Sequence, residues 1–469
     1  MNTALKHDHL SKLTFAPLAL VFLLLAGCLE KNLLWSPDGS RAAVLGPDGL
    51  YLCDSDGKLS ALLVPGAYRV AWLSDSQHLV VARSREAGLW SELVPALGPE
   101  RAGVIVAQAE AAWQQTPTGG LWSALTKDPT GKVHSKLLKI YLREHYGETL
   151  RTKVNPGEWD DFNKQKMEVH ELMMARIEDG RIMTGAQFHK GLGRVAEIRV
   201  APGDHAVAFV AEMELTVGGG KDDDAELLLA RLDGSGVTPV AAHVGAFPDW
   251  TADGRSLTYV QATGGSAKDD LRLGTLVQRE VLDAGGAIAI KENKKELAGW
   301  IFSGNSRVRC LRDGRILFNA AEISLPIAAE DYGEQREQLF AVDQARQATL
   351  VRLIPRKQEE NLPQTLAFFE VSPDEKQVLF GGLKGEVSVL TLASGEVAQV
   401  QEGVAKQSLQ GQPVWRKDGE FSYTRRAAKK DGQAPARKAE VVLRSGGKER
   451  VLSEGWPDQM VNHLVDDRN

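Results

Sequence analysis

Short apolar runs alternate with polar turns along most of this chain, and within each run apolar and small residues follow one another over only three or four positions. Examples are Ala42-Ala43-Val44, Leu79-Val80-Val81-Ala82, Ala206-Val207-Ala208-Phe209, Leu257-Thr258-Tyr259, Ile316-Leu317-Phe318, Val378-Leu379-Phe380 and Phe421-Ser422-Tyr423. Runs of that length bounded by Asp, Gly, Pro and Ser read as short strands. Two regions depart from the pattern. Leu18–Leu25 is continuously apolar. Residues 84–166 read as helices: Glu100–Gln114 is rich in Ala and Val, and Lys132–Tyr146 places Val133, Leu137, Ile140 and Tyr141 on one face. Pro95, Pro99, Pro117, Pro129 and Pro156 punctuate those helices.

Each strand is preceded by a related turn. Its copies are Trp35-Ser36-Pro37-Asp38-Gly39, Trp72-Leu73-Ser74-Asp75, Ala201-Pro202-Gly203-Asp204, Trp250-Thr251-Ala252-Asp253-Gly254, Leu311-Arg312-Asp313-Gly314, Val371-Ser372-Pro373-Asp374 and Trp415-Arg416-Lys417-Asp418-Gly419. Pro presets φ in such a turn, Gly accepts left-handed backbone, and Asp hydrogen-bonds to the turn. A second hairpin follows, as in Val387–Leu390 before Ser394-Gly395. Each unit is then about four antiparallel strands, which cannot bury both faces alone and must stack on its neighbours. A ring of such sheets is a β-propeller. The sequence predicts an all-β propeller over residues 28–469, with seven blades from seven copies and six as the alternative. Residues 84–166 interrupt the second blade between its second and third strands. Smaller excesses fall at the equivalent place in other blades, at 216–224, 263–270, 320–335 and 425–438. All of these loops leave the sheet on one rim, where binding residues commonly sit. Strands from both termini are expected to share one blade, using the short repeat after Lys31 and the segment Gln459–Val465.

The Trp-Ser-Pro-Asp-Gly turn with its following strand resembles the TolB-like propeller repeat, closely at residues 35–44 and well at 250–259 and 371–380. The resemblance implies the fold and little about function. TolB carries an N-terminal α/β domain, whereas here the first repeat begins seven residues after Cys28.

Lys6 and Lys12, the apolar stretch and then Leu25-Ala26-Gly27-Cys28 form a positive, apolar and small-residue series. This resembles a bacterial lipoprotein signal, with residues 1–27 removed and Cys28 carrying a diacylglycerol. The stretch is short for a spanning helix, which needs about 20 residues. Two or three acyl chains anchor a protein stably where one does not. Leu29 after the cysteine, where enterobacterial sorting reads Asp as a retention signal, implies the outer membrane, facing the periplasm.

The remaining chemistry is sparse. The net charge of -6 disfavours nonspecific nucleic-acid binding. Cys53 and Cys310 lack metal or redox spacing and read as two buried thiols. No nucleophile elbow, phosphate loop or zincin motif is present. No residue other than Cys28 is assigned a site role; catalytic, cofactor and metal assignments are none. The expected function is a noncatalytic scaffold, tied to the membrane through Cys28 and holding an envelope protein or peptide. The alternative is an envelope hydrolase or lyase at the channel mouth, using His189, His243 and the insertion carboxylates Glu158, Asp160 and Asp161.

Overall fold

The computed structural model describes residues 31–465 except 118–119, 127–131, 179–180, 214–223, 246, 263–270, 285, 304–305, 322–336, 344–348, 362, 364–365, 383–384, 403–410 and 427–438. Cys28 and the residues before it, and most of the four smaller loop excesses, lie outside the described residues.

Seven antiparallel sheets of four consecutive strands follow one another. Blade one holds β1 to β4 (Leu33–Trp35, Arg41–Gly46, Gly49–Asp54, Val64–Pro65), and blade two β5 to β8 (Ala67–Trp72, His78–Ala87, Met167–Glu178, Arg181–Gly191). Blade three holds β9 to β12 (Val195–Val200, Ala206–Met213, Asp224–Arg231, Val237–Ala242), and blade four β13 to β16 (Asp249–Trp250, Ser256–Ala262, Leu271–Ala284, Ala287–Ser303). Blade five holds β17 to β20 (Val308–Cys310, Arg315–Ala321, Glu337–Asp343, Thr349–Arg352), and blade six β21 to β24 (Phe368–Val371, Gln377–Gly381, Val387–Thr391, Glu396–Gln401). Blade seven holds β25 to β28 (Val414–Lys417, Glu420–Arg426, Ala439–Ser445, Lys448–Val451). A single backbone pair, Ile301 with Ala321, links blades four and five.

Every sheet buries both faces. Separate apolar cores lie between successive blades, such as Val70, Leu79 and Met173 against Ala43 and Leu50, or Phe369 and Phe380 against Leu317 and Leu339. The first strands of neighbouring blades touch: β1 meets β5 and β25, β5 meets β9, and β13 meets β17. The first strand of each blade therefore faces the ring axis. The repeat tryptophans bind adjacent blades together. Trp72, Trp250 and Trp415 donate their indole N–H groups to Leu34 O, Arg199 O and Glu370 O on the preceding blade's first strand, at 2.9, 2.9 and 3.0 Å.

The ring does not close as expected. Among the described residues no blade takes strands from both termini; β1–β4 and β25–β28 are each consecutive. Closure is made by side chains. Leu33, Trp35, Ala42 and Val44 of blade one pack with Val414, Val441 and Leu443 of blade seven. Helix α5 (Asp458–Val465) adds Met460, Val461 and Leu464 to that core. Gln459–Val465, expected as part of a strand, is helical because Met460, Val461 and Leu464 recur at a helical period that one face can bury. Trp35 donates to Ser422 Oγ at 3.0 Å, and Trp456 donates to Gly57 O at 2.6 Å.

The repeat turns divide into two kinds. Gly39, Gly254, Gly314 and Gly419 hold the left-handed position, as the Asp-Gly pattern requires. In three blades a residue with a side chain stands there: Ser76, Asp204 and Glu375, at φ of 58°, 53° and 58°. Asp204 thus occupies the glycine position, not the aspartate position its spacing suggested. Each of the three accepts a hydrogen bond from the turn of the preceding blade. Asp38 N donates to Ser76 Oγ, Ser74 N to Asp204 and Arg312 N to Glu375 Oε2. Left-handed backbone costs an L-residue roughly 1–2 kcal/mol, and the bond between blades offsets it. Glu375→Ala, which keeps the strain and loses the bond, is expected to lower stability by about 1–2 kcal/mol in urea unfolding, and Glu375→Gly by less.

The insertion leaves blade two between β6 and β7, whose pairing runs on to Ala87 and Met167. It comprises α1 (Trp90–Gln115), α2 (Leu121–Thr126), α3 (Lys132–Tyr146) and α4 (Pro156–Lys164). Helix α1 is broken at Gly98, φ 75°, between Pro95 and Pro99. Leu93, Ile105, Leu137, Ile140, Leu142 and Phe162 build a core of their own. Trp113 stacks on Tyr146 at 3.8 Å, and Trp122 meets Phe162 edge to face.

Blade four is enlarged at a place the sequence did not indicate. Strands β15 and β16 run past the sheet, and their tip lies against blade three. There Thr238 Oγ1 donates to Ile288 O at 2.8 Å, Arg279 donates to Val240 O at 2.7 Å, and Arg231 pairs with Asp283.

Candidate functional site

The first strands are short, and all seven blades bring a polar or charged side chain to the axis on or next to them. Arg69 comes from β5, Glu197 and Arg199 from β9, Asp249 from β13, Arg309 from β17 and Glu370 from β21. Lys31, Arg307 and Gln412 come from the residues entering β1, β17 and β25. Pairs two residues apart, Glu197 with Arg199 and Arg307 with Arg309, point to one side of a strand because side chains alternate. The starts of the first strands lie at the same end of the sheets as the β6–β7 connection. Lys31, Arg307 and Gln412 therefore lie on the side of the ring that carries the helices.

These groups form one electrostatic cluster. Lys31 Nζ is 2.5 Å from Glu370 Oε2, which also accepts from Gln412 Nε2 at 3.0 Å. Arg199 is 2.8 Å from Glu197 Oε1. Asp249 Oδ2 accepts from Cys310 N at 2.9 Å, and the Arg307 guanidinium lies over the Phe247 ring at 4.0 Å. Burial alone would raise both glutamates. The Arg199 guanidinium, with Lys31, Arg69 and Arg307, outweighs it and holds Glu197 below the usual range. Lys31, Arg309 and Arg199 do the same for Glu370. Burial is the main influence on Lys31; with Arg199 and Arg309 it outweighs Glu370 and lowers the ammonium to about 8. Lys31, Glu197 and Glu370 thus stay mostly ionised at neutral pH. Among its described members, five cations stand against three carboxylates.

The sequence did not single out these residues, because each blade supplies only one or two and they are far apart in the chain. The available signal was local. Val195-Ala196-Glu197-Ile198-Arg199-Val200 and Arg307-Val308-Arg309 put charges at alternate positions of strands that must face the axis.

The histidines are arranged differently from the expectation. His189 lies on β8 beside Phe209, ring centroids 5.1 Å apart. Burial, with His170 next, lowers it to about 4. Its interacting histidine is His170 on the neighbouring strand, which is itself lowered by burial and packs edge-on against Tyr68. His243 lies in the loop after β12, at φ 54°. No group of three or more metal-ligand side chains occurs among the described residues. Glu158 is a cap for α4, accepting from Asn155 N at 2.9 Å. Asp160 and Asp161 are exposed on the same helix. Burial raises the Cys53 thiol to about 12 and also raises Cys310, so neither is a ready nucleophile.

The His189 ring makes acid stability predictable. Unfolded, it titrates near 6.5. Between that value and about 4 the unfolded chain holds more protons, so stability present above pH 6.5 is lost as pH falls toward 4. The loss is at most roughly 3 kcal/mol, less for the ring's partial exposure. Urea midpoints at pH 7 and 4.5 should differ less for His189→Gln than for the wild-type chain.

No protein-family model matches this chain, and no curated protein does. Among solved structures it is similar to the β-propeller domain of the Trilobed protease from Pyrococcus furiosus, at 12% identity and a TM-score of 0.36 over 64% of this chain and 77% of that one. It is similar to the Swd1 β-propeller domain from Myceliophteria thermophila, at 10% identity and 0.43 over 84% and 93%. It is also similar to a puromycin hydrolase, at 16% identity and 0.42, where it covers 61% of this chain and 43% of the hydrolase. The chain therefore spans less than half of that hydrolase's length. These likenesses concern fold alone, and the seven blades are established by the strand topology.

Proposed function

We propose that this chain is a lipid-anchored protein of the bacterial cell envelope that acts as a noncatalytic scaffold, holding an envelope protein or peptide on its helix-bearing face. The anchor is Cys28, and Leu25-Ala26-Gly27-Cys28 supports it. Leu29 supports placement in the outer membrane, facing the periplasm. The turn sequences support kinship with TolB-like repeats.

One observation carries the scaffold reading. The insertion has an apolar core that it shares only with Ala87, Met167, Val169 and Leu192 of blade two, and its helices make their main strand contacts with β6, β7 and β8 of that blade. The ring cores between blades do not need it. An elaboration that ring closure does not require, on one rim of a rigid scaffold, is the usual form of a recognition element. The hydrolase or lyase alternative has no comparable support, since Glu158 caps a helix and the His189 ring packs beside Phe209.

Two experiments test the reading. Mass spectrometry of the mature N-terminus should find a diacylated Cys28; a soluble product starting elsewhere contradicts the anchor. Joining Ala87 to Met167 through a tight turn should leave a folded propeller with intact β circular dichroism. In a pull-down from membranes, the wild-type chain should retain envelope proteins that this deletion loses. Capture of the same proteins by both chains removes the insertion as the recognition element.

A further inference from the structure

The geometry points to a binding site for a small oxyanion, carboxylate or phosphate, in the axial channel, held by Arg69, Arg309 and Lys31. The site lies on the ring axis, with Lys31 toward its helix-bearing side, and stands whether or not the helical rim holds a protein.

Two buried arginines on the axis carry unsatisfied donors. Arg69 and Arg309 are more than nine-tenths buried, at 9% and 8% exposure. Arg69 Nε has no hydrogen-bond partner among the described residues, and neither does Arg309 Nη2. The other terminal nitrogen of Arg309 donates to Val308 O at 2.7 Å. Arg199 shows the same feature at Nε, although its terminal nitrogen lies 2.8 Å from Glu197. Leaving a charged donor buried and unbonded costs more than leaving a neutral one. A structure that carries several on one axis is arranged to have them filled.

The charge balance indicates what fills them. The carboxylates are committed: Glu370 to Lys31 and Gln412, Glu197 to Arg199, and Asp249 to Cys310 N. Leaving Arg307 aside, Lys31, Arg69, Arg199 and Arg309 stand against Glu197, Asp249 and Glu370, and a positive charge remains in excess among these residues. Lys31, Arg199, Arg309, Glu197 and Glu370 act on one another's charge, and Arg69 joins them through Glu197, so the groups lie along one axis. Guanidinium groups present planar pairs of donors that match the two oxygens of a carboxylate or phosphate. A cation would meet the excess positive charge, and an apolar ligand would leave the donors unpaired.

The test is calorimetric titration of the full-length chain with inorganic phosphate or acetate, each compared with chloride at matched ionic strength. A saturable heat for either anion is expected. Saturation by phosphate alone assigns the site to phosphate, and saturation by acetate alone assigns it to carboxylates. Arg309→Gln and Arg69→Gln should each weaken binding by about tenfold or more. Glu197→Gln, which removes a competing carboxylate, should tighten it, and this variant decides the matter if an arginine variant does not fold. Circular dichroism melting identifies the folded variants. No saturable heat beyond chloride, or equal affinity in the wild-type chain and every folded variant, overturns the inference.

Discussion

Truncation after Ser453 is expected to abolish cooperative unfolding of the propeller. It removes Trp456, Met460, Val461 and Leu464, exposed at only 6%, 4%, 2% and 1%. All four belong to the core between blades seven and one. Burying a large apolar side chain contributes roughly 1.5–3 kcal/mol, so their joint loss approaches the roughly 5–15 kcal/mol that holds a typical domain together. What remains at the seam is the sheet-to-sheet packing of Leu33, Trp35, Ala42 and Val44 on Val414, Val441 and Leu443. Among the described residues no strand crosses it, and its polar bonds include those from Trp35 to Ser422, Arg416 to Gly39 O and Trp456 to Gly57 O. Trp456→Ala alone should cost about 3–5 kcal/mol. Urea unfolding followed by circular dichroism reads both. A truncated chain that unfolds in one sharp transition at the wild-type midpoint would place the closure elsewhere.

Glu370→Ala is expected to be the most damaging single change at the axis, lowering stability by roughly 3–5 kcal/mol. Its carboxylate is the near partner of Lys31 and Gln412 and the second-largest influence on Lys31 after burial. Removing it leaves a buried ammonium beside Arg199 and Arg309. The Lys31→Met, Glu370→Met double variant should recover most of the loss, because two apolar groups replace the pair without stranding a charge. The comparison needs only urea midpoints at pH 7. A cost below about 1 kcal/mol for Glu370→Ala, as exposed pairs show, would mean that water reaches the pair freely.

The parts legible in the sequence are those that depend on neighbours in the chain. The turn before each second strand was visible because Asp38, Asp253 and Asp374 bond within two residues of themselves, to Ser40 N, Arg255 N and Lys376 N. The α3 helix was visible because Leu137, Ile140 and Tyr141 repeat at its period. What was missed depends on partners in other blades. The repeat pattern puts Asp204 at the turn aspartate and does not single out Ser76 or Glu375, yet each side chain replaces glycine to reach the preceding turn. The closing seam was misread because Trp456 and Met460 have meaning only against blade one. The surplus length of blade four was placed in residues 263–270, which lie outside the described residues, whereas the extended β15–β16 tip is held by contacts with blade three. The charged axis follows the same rule: Arg69 and Glu370 are about 300 residues apart in the chain and share a cluster only because the ring closes.

Site-specific photocrosslinking in intact cells tests the scaffold reading most directly. A photoreactive phenylalanine analogue in place of Leu89, 53% exposed at the start of α1, samples the helix-bearing face. The same analogue in place of Lys417, exposed in the repeat turn of blade seven, samples the opposite face. Proteins that capture a partner through an elaborated rim should give a discrete protein adduct at Leu89 and none at Lys417. Adducts at Lys417 alone, or at neither position, would contradict a scaffold that works through its helical face.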